Sequence, residues 1–136
     1  MRVEEALLTT PTVHAPSATV GELRRFFADD HVHMALVVER GFLLAVVERQ
    51  DLDDSDPEEL PAALVGSLAG RTTAPDAPLS VVLPSMRLTG RRRLAVTDDE
   101  GRLLGLLCRK ATGRGFCSDE DVAGRRRWVS RARVNS

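Results

Sequence analysis

Gly41-Phe42-Leu43-Leu44-Ala45-Val46-Val47-Glu48-Arg49-Gln50-Asp51 reads onto Gly101-Arg102-Leu103-Leu104-Gly105-Leu106-Leu107-Cys108-Arg109-Lys110-Ala111, at an offset of 60 residues. In each copy a glycine opens a short apolar run that ends on a charged group. Apolar runs also precede each glycine, Met34–Val38 in one case and Leu94–Thr97 in the other. Two short apolar runs around a glycine turn predict a β-hairpin, with Glu39-Arg40-Gly41 and Asp98-Asp99-Glu100-Gly101 as the loops. A second block agrees: Ala15-Pro16-Ser17-Ala18-Thr19-Val20 matches Ala74-Pro75-Asp76-Ala77-Pro78-Leu79 at an offset of 59. Two separated matches whose offsets differ by one residue indicate an internal duplication with a loop change between the blocks.

Outward from the hairpins, both halves read alike. Val20, Leu23 and Phe27, with Phe26 beside them, form an apolar stripe at helical spacing, as do Leu79, Val82, Leu83 and Met86. Thr19 is placed to cap a helix over 20–30, and Asp76 or Ser80 to cap its counterpart. A short helix is expected ahead of each, at Val3–Leu8 and Ala62–Ala69, followed by extended pieces at Thr12–Val13 and Thr72–Thr73. The order per half is helix, strand, helix, strand, strand, helix. The fold class is α/β in the broad sense (α+β), with two repeats packed as a pseudo-symmetric pair. The expected division is 1–56, ending in an acidic linker, then 57–117, then 118–136 as a short helix and basic tail. Pro57 suits the first turn of the helix through Leu68. The linker acids suit a helix N-terminus. Ser118-Asp119-Glu120-Asp121 reads as a capping box for a helix to Arg127.

With 136 residues, 43% of them hydrophobic and 29% charged, the chain is an ordinary globular protein. Halves of about 60 residues are marginal alone, so each must bury a face against the other. The stripes on the two helices are candidates for outer faces that a second copy would cover. A homodimer with Phe27 or Met86 at or just under its interface is therefore expected. No apolar run is long enough to cross a bilayer, and the start of the chain lacks the pattern of a signal peptide. The only cysteines, Cys108 and Cys117, make no disulfide framework, which points to a cytoplasmic protein with free thiols. The net charge of −1 conceals an asymmetry. Residues 1–60 carry 13 acids and 5 bases, residues 61–136 carry 7 acids and 14 bases. The halves should attract each other, or the second should face a phosphate.

Ala35-Leu36-Val37-Val38-Glu39-Arg40-Gly41 and Leu94-Ala95-Val96-Thr97-Asp98-Asp99-Glu100-Gly101 stand where the cystathionine-β-synthase-type (CBS) domain has Leu-Pro-Val-Val-Asp and a glycine turn. Residues 2–113 resemble two such domains in tandem, a Bateman module, though neither half keeps the proline. The resemblance implies a non-enzymatic regulatory module that binds AMP, ATP or S-adenosylmethionine between the repeats and signals to a partner protein. It also implies pairing of two modules. The family's ribose contact is a Thr/Ser-x-x-Asp motif after the last strand. Here Glu48-Arg49-Gln50-Asp51 keeps only the acid, and Cys108-Arg109-Lys110-Ala111 keeps neither group. The resemblance therefore implies at most one adenosine site, with Asp51 as the ribose acceptor. The alternatives are a ligand-free dimerisation module with decayed sites, or a nucleic-acid binder.

Arg49, Arg92, Arg93 and Arg109 are the candidate phosphate contacts, against the simpler reading that they are solvated or paired with the acidic first half. Strand alternation would point Arg91 and Arg93 one way and Arg92 the other. His31-Val32-His33 has a chelating spacing but no third ligand, so no metal is expected. Neither cysteine has a histidine near it in sequence to make a nucleophile. Arg125-Arg126-Arg127-Trp128 and the following arginines are the one segment suited to nucleic acid. Walker loops, dinucleotide fingerprints and paired catalytic carboxylates are absent from the sequence.

Overall fold

The computed structural model describes residues 1–9 and 11–109. Cys117, the expected 118–127 helix, Trp128 and the basic tail lie outside them, as do Lys110 and Ala111. Among the described residues two helices, α1 (Val20–Phe26) and α2 (Leu79–Thr89), accompany six strands: β1 (Val13–His14), β2 (Met34–Glu39), β3 (Phe42–Glu48), β4 (Thr72–Thr73), β5 (Arg93–Thr97) and β6 (Leu103–Cys108). The strands form two three-stranded sheets, ordered β1-β2-β3 and β4-β5-β6, each with a parallel outer pair and an antiparallel hairpin. The architecture is α+β, and the duplication is visible in detail. β2/β3 slips register between Val37 and Val38, and β5/β6 slips between Val96 and Thr97, the matching place.

The hairpin turns arise from local chemistry. Glu39 pairs with Phe42 across a two-residue loop in which Arg40 (φ 52°) and Gly41 (φ 86°) are both left-handed. Positive φ at both centres is the turn that matches the twist of the flanking strands. The second loop is longer, and the Asp98 carboxylate organises it by accepting from the backbone N–H groups of Glu100 and Arg102. α1 begins as its cap dictates, with Thr19 Oγ1 accepting from Glu22 N at 3.3 Å. It stops four residues short of the expected 30. The Arg49 guanidinium takes the carbonyls of Phe27, Asp29 and Val32 and holds the chain in a turn there. α2 has Pro78 at its cap position and no side-chain cap, where Asp76 or Ser80 was expected. The Met1 carbonyl instead receives Leu79 N at 2.9 Å.

That contact belongs to an exchange between the halves. Residues 1–8 run along the second half: Val3 N donates to Ala77 O, and Leu8 pairs in both directions with Leu106 of β6. Residues 58–67 do the same on the first half. Val20 N donates to Leu60 O, and Ser67 pairs in both directions with Val46 of β3. This exchange is why the expected leading helices are single 3-10 turns, Val3–Ala6 and Ala62–Leu64. Beyond each turn the chain must be extended to join the other half's hairpin. Pro57 accordingly lies in a turn ahead of the helix position predicted for it, its carbonyl receiving Leu60 N.

The core has four parts among the described residues, the smallest being Leu8 against Cys108. Val3 packs with Leu79, Val82, Met86, Leu94, Val96 and Leu107 of the second half. Ala62 packs with Leu23, Phe27, Ala35, Val37, Ala45 and Val47 of the first. Met34, Leu36, Leu43, Val46 and Ala95 form the seam between the sheets. The helix stripes are therefore covered within one chain. Phe27 is 4% exposed and Met86 1%, which corrects the expectation that a second copy buries them. The segments exchanged between halves supply the missing cover.

Candidate functional site

Where β3 ends, Glu48 begins a one-turn 3-10 helix, Arg49–Asp51, that ties itself with a capping box. The Asp51 carboxylate accepts from Glu48 N at 2.8 Å, and the Glu48 side chain accepts from Asp51 N. The two carboxylates thus lie side by side at the seam, where self-repulsion would be severe without cations. Two arginines from the other half supply them. Arg71, just before β4, sends Nη1 and Nη2 to Asp51 Oδ2 and Oδ1 at 2.5 and 2.9 Å, and Nε to Glu48 Oε1 at 2.8 Å. Its Nη1 also donates to Val46 O at 2.7 Å, fixing it to β3. Arg91 reaches both Glu48 oxygens through Nη1, at 2.7 and 2.8 Å.

Forked pairing of this kind is among the stronger polar contacts, and Arg71 is buried. Burial pushes the Asp51 carboxyl up, but the hydrogen bonds from Arg71 and Glu48 N and the charges of Arg71 and Arg91 outweigh it. They hold it below the usual carboxylate range. Arg71 is raised, chiefly by its bond to Asp51. The charge asymmetry of the halves is expressed here as ion pairs across the seam.

Beside this network opens a cleft of about 290 Å³ between the halves. The first half lines it with His33, Met34, Glu48, Arg49 and Gln50; the second contributes Thr89, Gly90, Arg91, Arg92 and Arg93. Gly90, left-handed at φ 71°, ends α2 and turns the chain. Arg91 and Arg92 thereby precede β5 in a bend. The face alternation expected of a strand does not apply to them, and all three consecutive arginines reach the cleft wall. Among the described lining residues four guanidiniums stand against one carboxylate. His33 adds no charge at neutral pH, because burial and the neighbouring Arg93, Arg92, Arg49 and His31 lower its pKa to about 4.

The sequence candidates are thus sorted by position. Arg92 and Arg93 line the cleft, and Arg92 Nε is buried with no hydrogen-bond partner among the described residues. Arg49 lines it too, but its guanidinium is spent on the α1 carbonyls. Arg109 sits behind the wall, its backbone N donating to Arg92 O and its Nη2 to Arg91 O. Asp51 does not line the cleft and is engaged by Arg71. Reading the sequence missed Arg71. The signal was two acids three residues apart after an apolar strand, a pair that requires a counter-ion. His31 and His33 are not joined by a third group: among the described residues no three His, Cys, Asp or Glu side chains could hold a metal ion. No described helix is long and apolar enough to cross a membrane.

Residues 71–111 match the family model of the CBS domain. No curated protein matches the chain. Among solved structures, a conserved CBS-domain protein from Thermoplasma acidophilum is similar at 22% identity and TM-score 0.64, over 79% of this chain and 65% of that one. A CBS-domain protein from Pyrobaculum aerophilum complexed with AMP is similar at 24% identity and TM-score 0.64, over 79% of this chain and 87% of that one. The cytosolic domain of the Mg2+ channel MgtE in complex with ATP is similar at 21% identity and TM-score 0.63, over 79% of this chain and 45% of that one. At these identities the likeness is one of fold.

Proposed function

From the match of residues 71–111 to the CBS-domain family model and a fold shared with CBS-domain structures, we propose that this chain is a regulatory tandem-CBS module. It senses a phosphate-bearing adenine nucleotide in the cleft between its repeats and passes that state to a partner protein. The observation that carries this is the cationic wall Arg91-Arg92-Arg93 facing a cleft that holds one paired carboxylate. A phosphate brings a negative partner to Arg92, which has none among the described residues, and guanidinium forks match its geometry. Within the expected ligands the same physics gives an order. ATP should bind tighter than AMP, and S-adenosylmethionine, which brings a sulfonium cation and no phosphate, should bind weakest. AMP and ATP complexes of proteins with this fold support the ligand class. Regulation rather than catalysis suits this wall, whose arginines can bind an anion but supply no general base or nucleophile.

Thermal unfolding with each ligand tests the reading. A ligand at about 100 times its Kd adds about 2.7 kcal/mol to native stability. A rise in Tm with ATP that Arg92→Gln diminishes is the expected result, and no rise with ATP or AMP at millimolar concentration refutes it. The pairing of Asp51 with Arg71 favours a second reading, a ligand-free dimerisation module whose clefts have closed to nucleotides. It predicts that same absence of any shift. Homodimer formation belongs to both readings; its support is the exposed Val81 and Leu88 on α2. A mass near that of two chains in light scattering is the expected result.

A further inference from the structure

We infer that the cleft selects its ligand by phosphate charge and does not distinguish ribose from 2′-deoxyribose, an inference that rests on the nucleotide reading above. A carboxylate that clamps a ribose diol needs two open acceptor positions on the cleft wall. A carboxylate has about four acceptor positions. At Asp51, Arg71 Nη1, Arg71 Nη2 and Glu48 N fill three of them, and the residue does not line the cleft.

Glu48 does line it, but its Oε1 already accepts from Arg71 Nε and Arg91 Nη1. Its Oε2 accepts from Arg91, and the side chain also receives Asp51 N. Neither carboxylate presents a pair of open positions. A diol would have to displace a guanidinium, exchanging a forked ion pair for hydrogen bonds from neutral hydroxyls. The remaining wall offers donors: the Arg91 guanidinium, shared with Glu48, and that of Arg92, whose Nε has no partner among the described residues. Such a wall reads the number and placement of phosphate oxygens, and neither carboxylate beside it is open to clamp the 2′-hydroxyl.

Isothermal titration of the whole protein at neutral pH and low salt, with ATP, 2′-deoxy-ATP, inorganic triphosphate and adenosine, tests this. The expected result is that the two nucleotides bind within about threefold of each other. Triphosphate should compete with ATP, and adenosine should bind far more weakly than either. A 2′-deoxy-ATP affinity more than about threefold below that of ATP, or adenosine binding as tightly as ATP, overturns the inference and leaves the nucleotide reading standing. Failure of ATP, 2′-deoxy-ATP and triphosphate alike overturns both. Arg71→Leu releases Asp51, and a folded variant should prefer ATP to 2′-deoxy-ATP. Equal affinity in a variant shown to be folded by circular dichroism also overturns the inference, because the Arg71 pair would then not be the cause. If the variant does not fold, the wild-type comparison decides alone.

Discussion

Replacing Arg71 with leucine removes the cation on which both carboxylates at the seam depend. The structure sets the scale. Arg71 and Asp51 side chains are 10% and 14% exposed, and one guanidinium serves Asp51 twice, Glu48 once and the Val46 carbonyl once. Removing one partner of a buried pair costs about 3–5 kcal/mol. Arg91 still holds Glu48, and leucine adds some apolar burial, so the expected loss is about 2–3 kcal/mol. For a chain of this size that is a fall in Tm of about 8–12 °C.

Acid should close the gap, and the sign is set by Asp51. Its folded pKa lies below its unfolded value of 3.8. Its contribution is therefore complete well above that value and is lost as pH falls through the folded pKa. Urea unfolding monitored by circular dichroism, at pH 7 and then at steps below pH 4, reads both effects. A loss under about 0.5 kcal/mol at pH 7 would place the network among the weak surface pairs and refute the reasoning. So would a gap that persists unchanged in acid.

Gly105 faces the backbone of the incoming Leu8, and a Cβ there would press on the Leu8 carbonyl oxygen. Gly105→Ala should destabilise by about 1–2 kcal/mol in urea unfolding, overpacking at the crossing outweighing the entropy gained by losing a glycine. Met86→Ala, at a side chain 1% exposed, should cost about 2–5 kcal/mol. Met86→Asp should unfold the chain rather than merely dissociate it; circular dichroism alongside light scattering separates the two. His33, with its pKa lowered to about 4, is neutral at pH 7. A folded pKa below the unfolded 6.5 means stability present above pH 6.5 and lost as pH falls toward 4. The side chain is only partly buried, so solvent screens the effect on stability and its titration by NMR is the better reading. ATP in the cleft should move that midpoint upward, and an unmoved midpoint at saturating ATP argues against phosphate near His33.

The hairpins and their repeat were legible because glycine turns and apolar runs are local signals. Thr19 was legible as a cap for the same reason. What escaped was non-local. The lengths of Val3–Ala6 and Ala62–Leu64 are set by strands of the opposite half, and no periodicity within residues 3–8 or 62–69 records that. α1 ends early because of Arg49, more than 20 residues on. Asp51 was found from its motif, but its state is fixed by Arg71, an isolated cation ahead of a two-residue strand. The three arginines at 91–93 were singled out as candidates. Their convergence depended on Gly90 bending the chain before β5, so strand alternation gave the wrong geometry for Arg91 and Arg92.

A structure of the protein with ATP bound tests the central claim most directly. Phosphate oxygens should lie within hydrogen-bonding distance of the Arg91 and Arg92 guanidiniums, with the Arg71–Asp51 pair intact and no ribose hydroxyl on Asp51. A nucleotide whose ribose sits on Asp51 with Arg71 displaced, or one bound away from the cleft between the repeats, would contradict it.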